Sequence, residues 1–188
     1  MNEKQNSKDK LIKTASRLFQ LQGYHATGLN QITKESGAPK GSLYYHFPEG
    51  KEQLAIESVQ LTKKFVSEQI FNSLNKTPDP VKAIQNLIEE MAEHFQKKGR
   101  KGGVPIASVA LETALISEPL REACQSAYTN FQAIFTQKLV QSGFEEKRAK
   151  DLGVVINSMI EGAFLISFTT GNSEPLHLVA KQIPVVLQ

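Results

Sequence analysis

A chain of 188 residues, 40% hydrophobic and 22% charged, has the composition of an ordinary soluble globular protein, long enough for one or two domains with a real core. Its single cysteine, Cys124, excludes an internal disulfide and a cysteine-based metal framework and fits a reducing compartment. The net charge of +3 is unevenly placed: residues 1–50 hold seven Lys/Arg against four Asp/Glu while residues 51–188 hold fifteen of each, so the positive excess lies where a polyanion would be met.

Taken in order, the chain reads as helices throughout. Ser7 is a plausible N-cap for a first helix in which Leu11, Ile12, Ala15, Leu18 and Phe19 recur at helical spacing until Gly23. Thr27 caps a second, with Leu29 and Ile32 facing inward, and Ser36-Gly37 stops it, Gly37 taking the left-handed turn position at little steric cost. A short third helix runs from Pro39 or Lys40 to about Tyr45, anchored by Leu43 and Phe47. After Pro48-Glu49-Gly50 a long helix covers 51–75. Asp79, with Pro80 behind it, opens a fifth that ends at the basic, glycine-rich loop 99–103. Apolar patterns then predict helices over 105–116, 118–141, 145–170 and 174–187. The expectation is an all-α chain of about nine helices: an N-terminal three-helix helix-turn-helix domain, 1–50, and a C-terminal helical bundle domain, 51–188. No apolar leader opens the chain, and the apolar run 152–168 is broken by Asn157, Ser158 and Glu161, so a cytoplasmic location is expected.

Catalytic chemistry finds no constellation. No Gly-x-Gly-x-x-Gly is present, and Gly50-Lys51 lacks the earlier glycine and the following Ser/Thr of a phosphate-cradling loop. His25, His46, His94 and His177 are scattered without metal-ligand spacing, and Glu89, Glu90 and Glu93 read as a solvated helix face. Neither an enzyme nor a metal or other cofactor is expected.

Residues 27–54 account for more. In a helix-turn-helix the first turns of the second helix enter the major groove, so polar or small residues there face out while apolar ones look back. Lys40 and Ser42 are polar at the right places, and Gly41 between them lets backbone approach a phosphate or base closely. Tyr44, Tyr45 and His46 combine ring bodies that pack with polar tips that reach phosphate. Lys51 opposes the macrodipole at the start of its helix, a conflict that a phosphate at that end resolves.

The order Thr27, Ile32, Ser36-Gly37-Ala38, Gly41, Leu43-Tyr44-Tyr45-His46-Phe47 and Lys51-Glu52-x-Leu54 resembles the DNA-binding domain of the TetR family of bacterial transcriptional repressors. That resemblance implies a homodimer joined by the last two long helices, a palindromic double-stranded DNA operator, and a small effector in the C-terminal domain whose binding releases DNA. It implies phosphate contacts from Thr27, Tyr44, Tyr45, His46 and Lys51, and places Asn30, Lys40 and Ser42 nearest the base edges. Two departures stand out: Pro39 replaces the family's helix-opening Ser, and the link from Phe47 to Lys51 is one residue longer. That link and the run from Gly102 to Ala107 are similar to the subgroup of lincomycin-resistance regulators, some of which answer to flavonoids. Phe65, Met91, Phe95, Phe131, Phe135 and Met159 are the candidate walls for an apolar, aromatic effector, although the same stripes read first as the core that any helical bundle needs.

Overall fold

The computed structural model describes residues 3–99 and 105–188. Among them are nine helices and no strand: α1 (Glu3–Gln22), α2 (Leu29–Ser36), α3 (Lys40–His46), α4 (Lys51–Leu74), α5 (Pro80–Lys98), α6 (Ala107–Thr113), α7 (Glu118–Gln141), α8 (Glu146–Thr170) and α9 (Glu174–Val186). The fold is all-α, as expected. The glycine-rich loop after α5 lies, over 100–104, outside the described residues.

Three boundaries differ from the sequence reading. The first helix is already formed at Glu3, ahead of Ser7, because Glu, Lys and Gln before it are all good helix formers. The N-cap of α2 is Gly28, not Thr27. α6 stops at Thr113 rather than continuing to Ile116: the N–H groups of Ile116 and Ser117 both turn back to the Thr113 carbonyl, and the Ser117 hydroxyl accepts the Leu120 N–H to start α7. The apolar pattern ran across that turn, and Leu115 there is 98% exposed.

The chain divides into two compact units, 1–64 with 103–127 and 65–102 with 128–188. In the first, Leu11, Ala15, Leu18 and Phe19 of α1, Ile32 of α2, Leu43 of α3, Phe47, and Leu54 and Ala55 of α4 form the core. Polar groups inside it are paired, as burial requires: the Ser16 and Thr62 hydroxyls meet at 2.9 Å, and Ser58 donates to the Leu54 carbonyl at 2.7 Å. α6 joins this unit through the Ser108 hydroxyl, which donates to the Phe19 carbonyl at 3.0 Å.

In the second unit α9 packs on α5 and α8. Asp79 caps α5 through the Val81 and Lys82 N–H groups with Pro80 behind it, as its sequence predicts. Gly153 brings α8 close to α7; a Cβ there would lie 2.8 Å from the Gln132 carbonyl oxygen. α8 is long and apolar enough to cross a membrane by composition, but its apolar residues divide between two faces. Ala149, Ile156, Ile160 and Ala163 are buried within the unit, whereas Val154, Val155, Leu165 and Ile166 are exposed.

Glu161 lies half-buried on α8, and burial pushes its carboxyl from the ordinary 4.5 up to about 7. The folded chain therefore holds this proton while the unfolded chain releases it between those values. Stability from this group is full below about 4.5, declines as pH rises, and levels off above about 7. Denaturant titrations at pH 5 and pH 7.5 should show that decline in the native sequence and a flatter profile in Glu161→Gln. An unchanged profile in the variant would remove Glu161 as its source.

Candidate nucleic-acid interface

The surface predicted to meet DNA is built by α2, its turn and α3. Ile32 and Leu43 anchor the two helices inward. Between them Gly37 takes a left-handed conformation, φ 64°, and the Ser36 hydroxyl donates to the Thr33 carbonyl while accepting the Ala38 N–H. Pro39 is the N-cap of α3; it offers no side-chain cap, and its carbonyl accepts the Ser42 N–H at 2.9 Å. With Leu43 and Phe47 turned inward, helical spacing leaves Lys40, Gly41, Tyr44 and Tyr45 on the opposite side, all exposed.

Ser42 and His46 flank that row and are half-buried, the His46 ring standing edge-on to Tyr45 at 4.9 Å. Asn30 is exposed in the first turn of α2. Among the described residues, nothing outside its own helical turn lies within 4 Å of where a Cβ on Gly41 would stand. The fold itself thus leaves that space open.

Thr27 and Lys51 are placed differently from this row. Thr27 is fully buried; its hydroxyl donates to the Gly23 carbonyl at 2.7 Å and accepts from the Gln22 amide at 3.2 Å. It braces the turn between α1 and α2 and has no free hydroxyl face to offer a phosphate. Lys51 is half-buried and folded back, its ammonium 4.4 Å from the Tyr24 ring centroid and 3.5 Å from the His25 carbonyl. Burial lowers its pKa, and the charge of Glu112 opposes that shift. Glu112 also accepts the His25 N–H at 2.7 Å. Its part near residues 23–51 had no local signal in sequence, since 87 positions separate it from His25.

The aromatic and Met residues expected around an effector scatter within the second unit. Phe131 and Phe135 are packed core, 2% and 0% exposed, whereas Phe65 is 61% exposed. Met91 and Met159 are half-buried. Phe95, edge-on to Phe164 at 5.9 Å, lines a cavity of about 550 Å³ between the end of α5 and the start of α9. The remaining walls are polar, with Gln96, Asn172, Ser173, His177 and Lys181 among them. There Glu89 Oε2 lies 2.6 Å from His177 Nδ1, and His177 Nε2 lies 3.2 Å from the Ser173 hydroxyl. Glu89 is therefore a partner of His177, not merely part of a solvated face. Glu90 likewise pairs with Lys76 at 2.8 Å. Among the described residues no cluster of His, Cys, Asp or Glu is arranged to hold a metal.

Residues 80–182 match the family described as the C-terminal domain of LmrA/YxaF-like transcriptional regulators, and residues 11–57 match the bacterial regulatory proteins of the tetR family. The chain belongs to the TetR family. Over 188 residues, all of this chain and 98% of the relative, it is 52% identical to the HTH-type transcriptional regulator YxaF of Bacillus subtilis. It is 49% identical to LmrA of the same organism over 97% of both chains. The fold of this TetR-family regulator is also that of the reduced form of Escherichia coli NemR, with a TM-score of 0.84 at 19% identity over 96% of each chain. A TetR-family structure from Cytophaga hutchinsonii gives 0.85 at 17% identity, covering 100% of this chain and 96% of that one. The TetR-family chain is thus a helix-turn-helix transcriptional regulator, not an enzyme, and the LmrA match fits the lincomycin-resistance subgroup.

Proposed function

We propose that this regulator is a cytoplasmic repressor that binds a palindromic operator as a homodimer and leaves it when a small effector enters the C-terminal domain. Residues 1–50 read DNA and residues 51–188 control the reading. The observation that carries the reading is the outward row Lys40, Gly41, Tyr44 and Tyr45, with open space over Gly41 that the fold does not use. Lys40, Ser42 and Asn30 face base edges, while Tyr44, Tyr45 and His46 hold phosphates, and Lys51 joins them once it unfolds from Tyr24. Two such heads on a two-fold axis match major grooves about 34–36 Å apart.

The effector reading rests on the cavity beside Phe95. One ring wall and several polar groups suit an aromatic effector carrying hydrogen-bonding substituents. Its coupling to DNA is of the usual size, about 1–3 kcal/mol or some 5–150-fold in operator affinity.

Selection of bound sequences from a random DNA pool supplies the operator and the test. Tyr44→Ala should weaken binding to selected and unrelated duplexes alike. Lys40→Ala should relax base preference, by about 1–3 kcal/mol of discrimination at the position it reads. Gly41→Val, whose Cβ meets nothing among the described residues beyond its own helical turn, should fold normally and lose binding. If all three variants keep the native electrophoretic shift, α3 is not the reading helix.

A further inference from the structure

The turn between α1 and α2 presents a backbone donor that an internal carboxylate already holds, with a cation on the same residue's carbonyl. Glu112 of α6 accepts the His25 N–H at 2.7 Å through Oε2, and its other oxygen lies over Gly23, where a Cβ would stand 1.8 Å from Oε1. Across the same turn, Lys51 directs its ammonium over the Tyr24 ring and toward the His25 carbonyl. The backbone N–H on this carboxylate and the ammonium across the same turn are the kinds of group that hold a phosphate oxygen elsewhere. Other charges near this turn do not substitute for it: Glu52 is bonded to the Ser117 hydroxyl, and Arg17 is paired with Glu35.

We propose that Glu112 is an internal competitor of the DNA backbone: its carboxylate holds the His25 N–H at the residue whose carbonyl Lys51 reaches, and a phosphate must displace it to bind both the N–H and the ammonium. This rests on reading the α1–α2 turn and Lys51 as part of the DNA face. Glu112 then sets the operator affinity from α6 without touching DNA. Position 112 becomes a place where the strength of repression is adjusted by charge. α6 itself does not depend on this carboxylate for its seat, because Ser108 ties it to Phe19 and Val109 and Thr113 are buried.

The test measures binding to a random-sequence duplex by fluorescence anisotropy across a salt series, since phosphate contacts do not depend on sequence. Glu112→Gln keeps an acceptor for His25 and removes the charge; Glu112→Ala removes both, and serves if the first variant folds poorly by circular dichroism. Each should bind more tightly than the native chain at low salt. The slope of log affinity against log salt should steepen by about 0.9 per subunit, the value for one added phosphate contact. In a Lys51→Met background the added slope should vanish. Native or weaker affinity with an unchanged slope in both Glu112 variants would overturn the proposal. Tyr44→Ala separates the two ideas: if it loses binding while the Glu112 variants behave like the native chain, only the competitor fails, and if it binds normally the DNA-face reading fails with it.

Discussion

Phe47→Ala should unfold the reading head or leave it so loose that operator binding is lost. Phe47 is 0% exposed and is among the largest fully buried side chains in the protein. It closes α3, its N–H bonded to the Leu43 carbonyl at 2.8 Å, and its own carbonyl accepts the Gly50 N–H that sets the start of α4. Replacing a buried Phe by Ala costs about 3–5 kcal/mol from lost burial and the cavity left behind. A domain is held by only about 5–15 kcal/mol in total, so the loss is a large fraction of it. At about 2–4 °C per kcal/mol for a chain of this size, melting should fall by roughly 6–20 °C. Differential scanning calorimetry measures it directly, and a shift below a few degrees would show that Phe47 is not the anchor its burial indicates. Tyr44→Ala gives the contrast, since a side chain 60% exposed should barely move the melting temperature while binding falls.

The second large effect concerns assembly. α8 leaves Val154, Val155, Leu165 and Ile166 exposed, and among the described residues nothing outside its own helical turn lies within 4 Å of where a Cβ on Gly162 would stand. α9 adds Leu178 and Val185, exposed by 51% and 60%. These are the two helices proposed to meet their two-fold mates, and a self-complementary apolar face is what such an interface needs. The double substitution Leu165→Glu, Ile166→Lys puts charge on that face while sparing the core. Light scattering should then report the mass of one subunit with unchanged helicity. Affinity for a palindromic operator should fall about 10²–10⁴-fold, because two half-sites are no longer held by one particle. A dimer that survives both charges would move the interface elsewhere. Deleting α9 would be a poorer test, since Leu176, Ala180 and Ile183 are buried and its loss would open the unit itself.

Much of this was legible before any coordinates. Apolar spacing at three and four residues placed the helices, because a helix must keep one stripe out of water wherever it packs. Gly37 and Asp79 marked their turns through backbone conformation and capping, which are local properties. Leu43 and Phe47 were legible as the inward side of α3 and Lys40 as outward, but the rings of Tyr44 and Tyr45, expected to pack, are 60% and 66% exposed. Periodicity, however, names a stripe and not its neighbour. Phe95, Phe131 and Phe135 share that signal, yet one lines a cavity and two are packed core. Thr27 looked like a cap and a phosphate donor, but its hydroxyl closes a turn onto Gly23.

The sequence by itself determined the helical order, the helix-turn-helix with its turn glycine, the location of the positive excess and the absence of catalytic motifs. All of these are written within a few residues or in simple counts. Tertiary structure alone decided that Lys51 folds onto Tyr24, that Glu112 reaches His25, that Glu89 pairs with His177, and that one apolar face of α8 stays uncovered. The pairings from Glu112 and Glu89 join groups 87 and 88 positions apart, and such contacts exist only once packing has brought distant segments to hydrogen-bond distance.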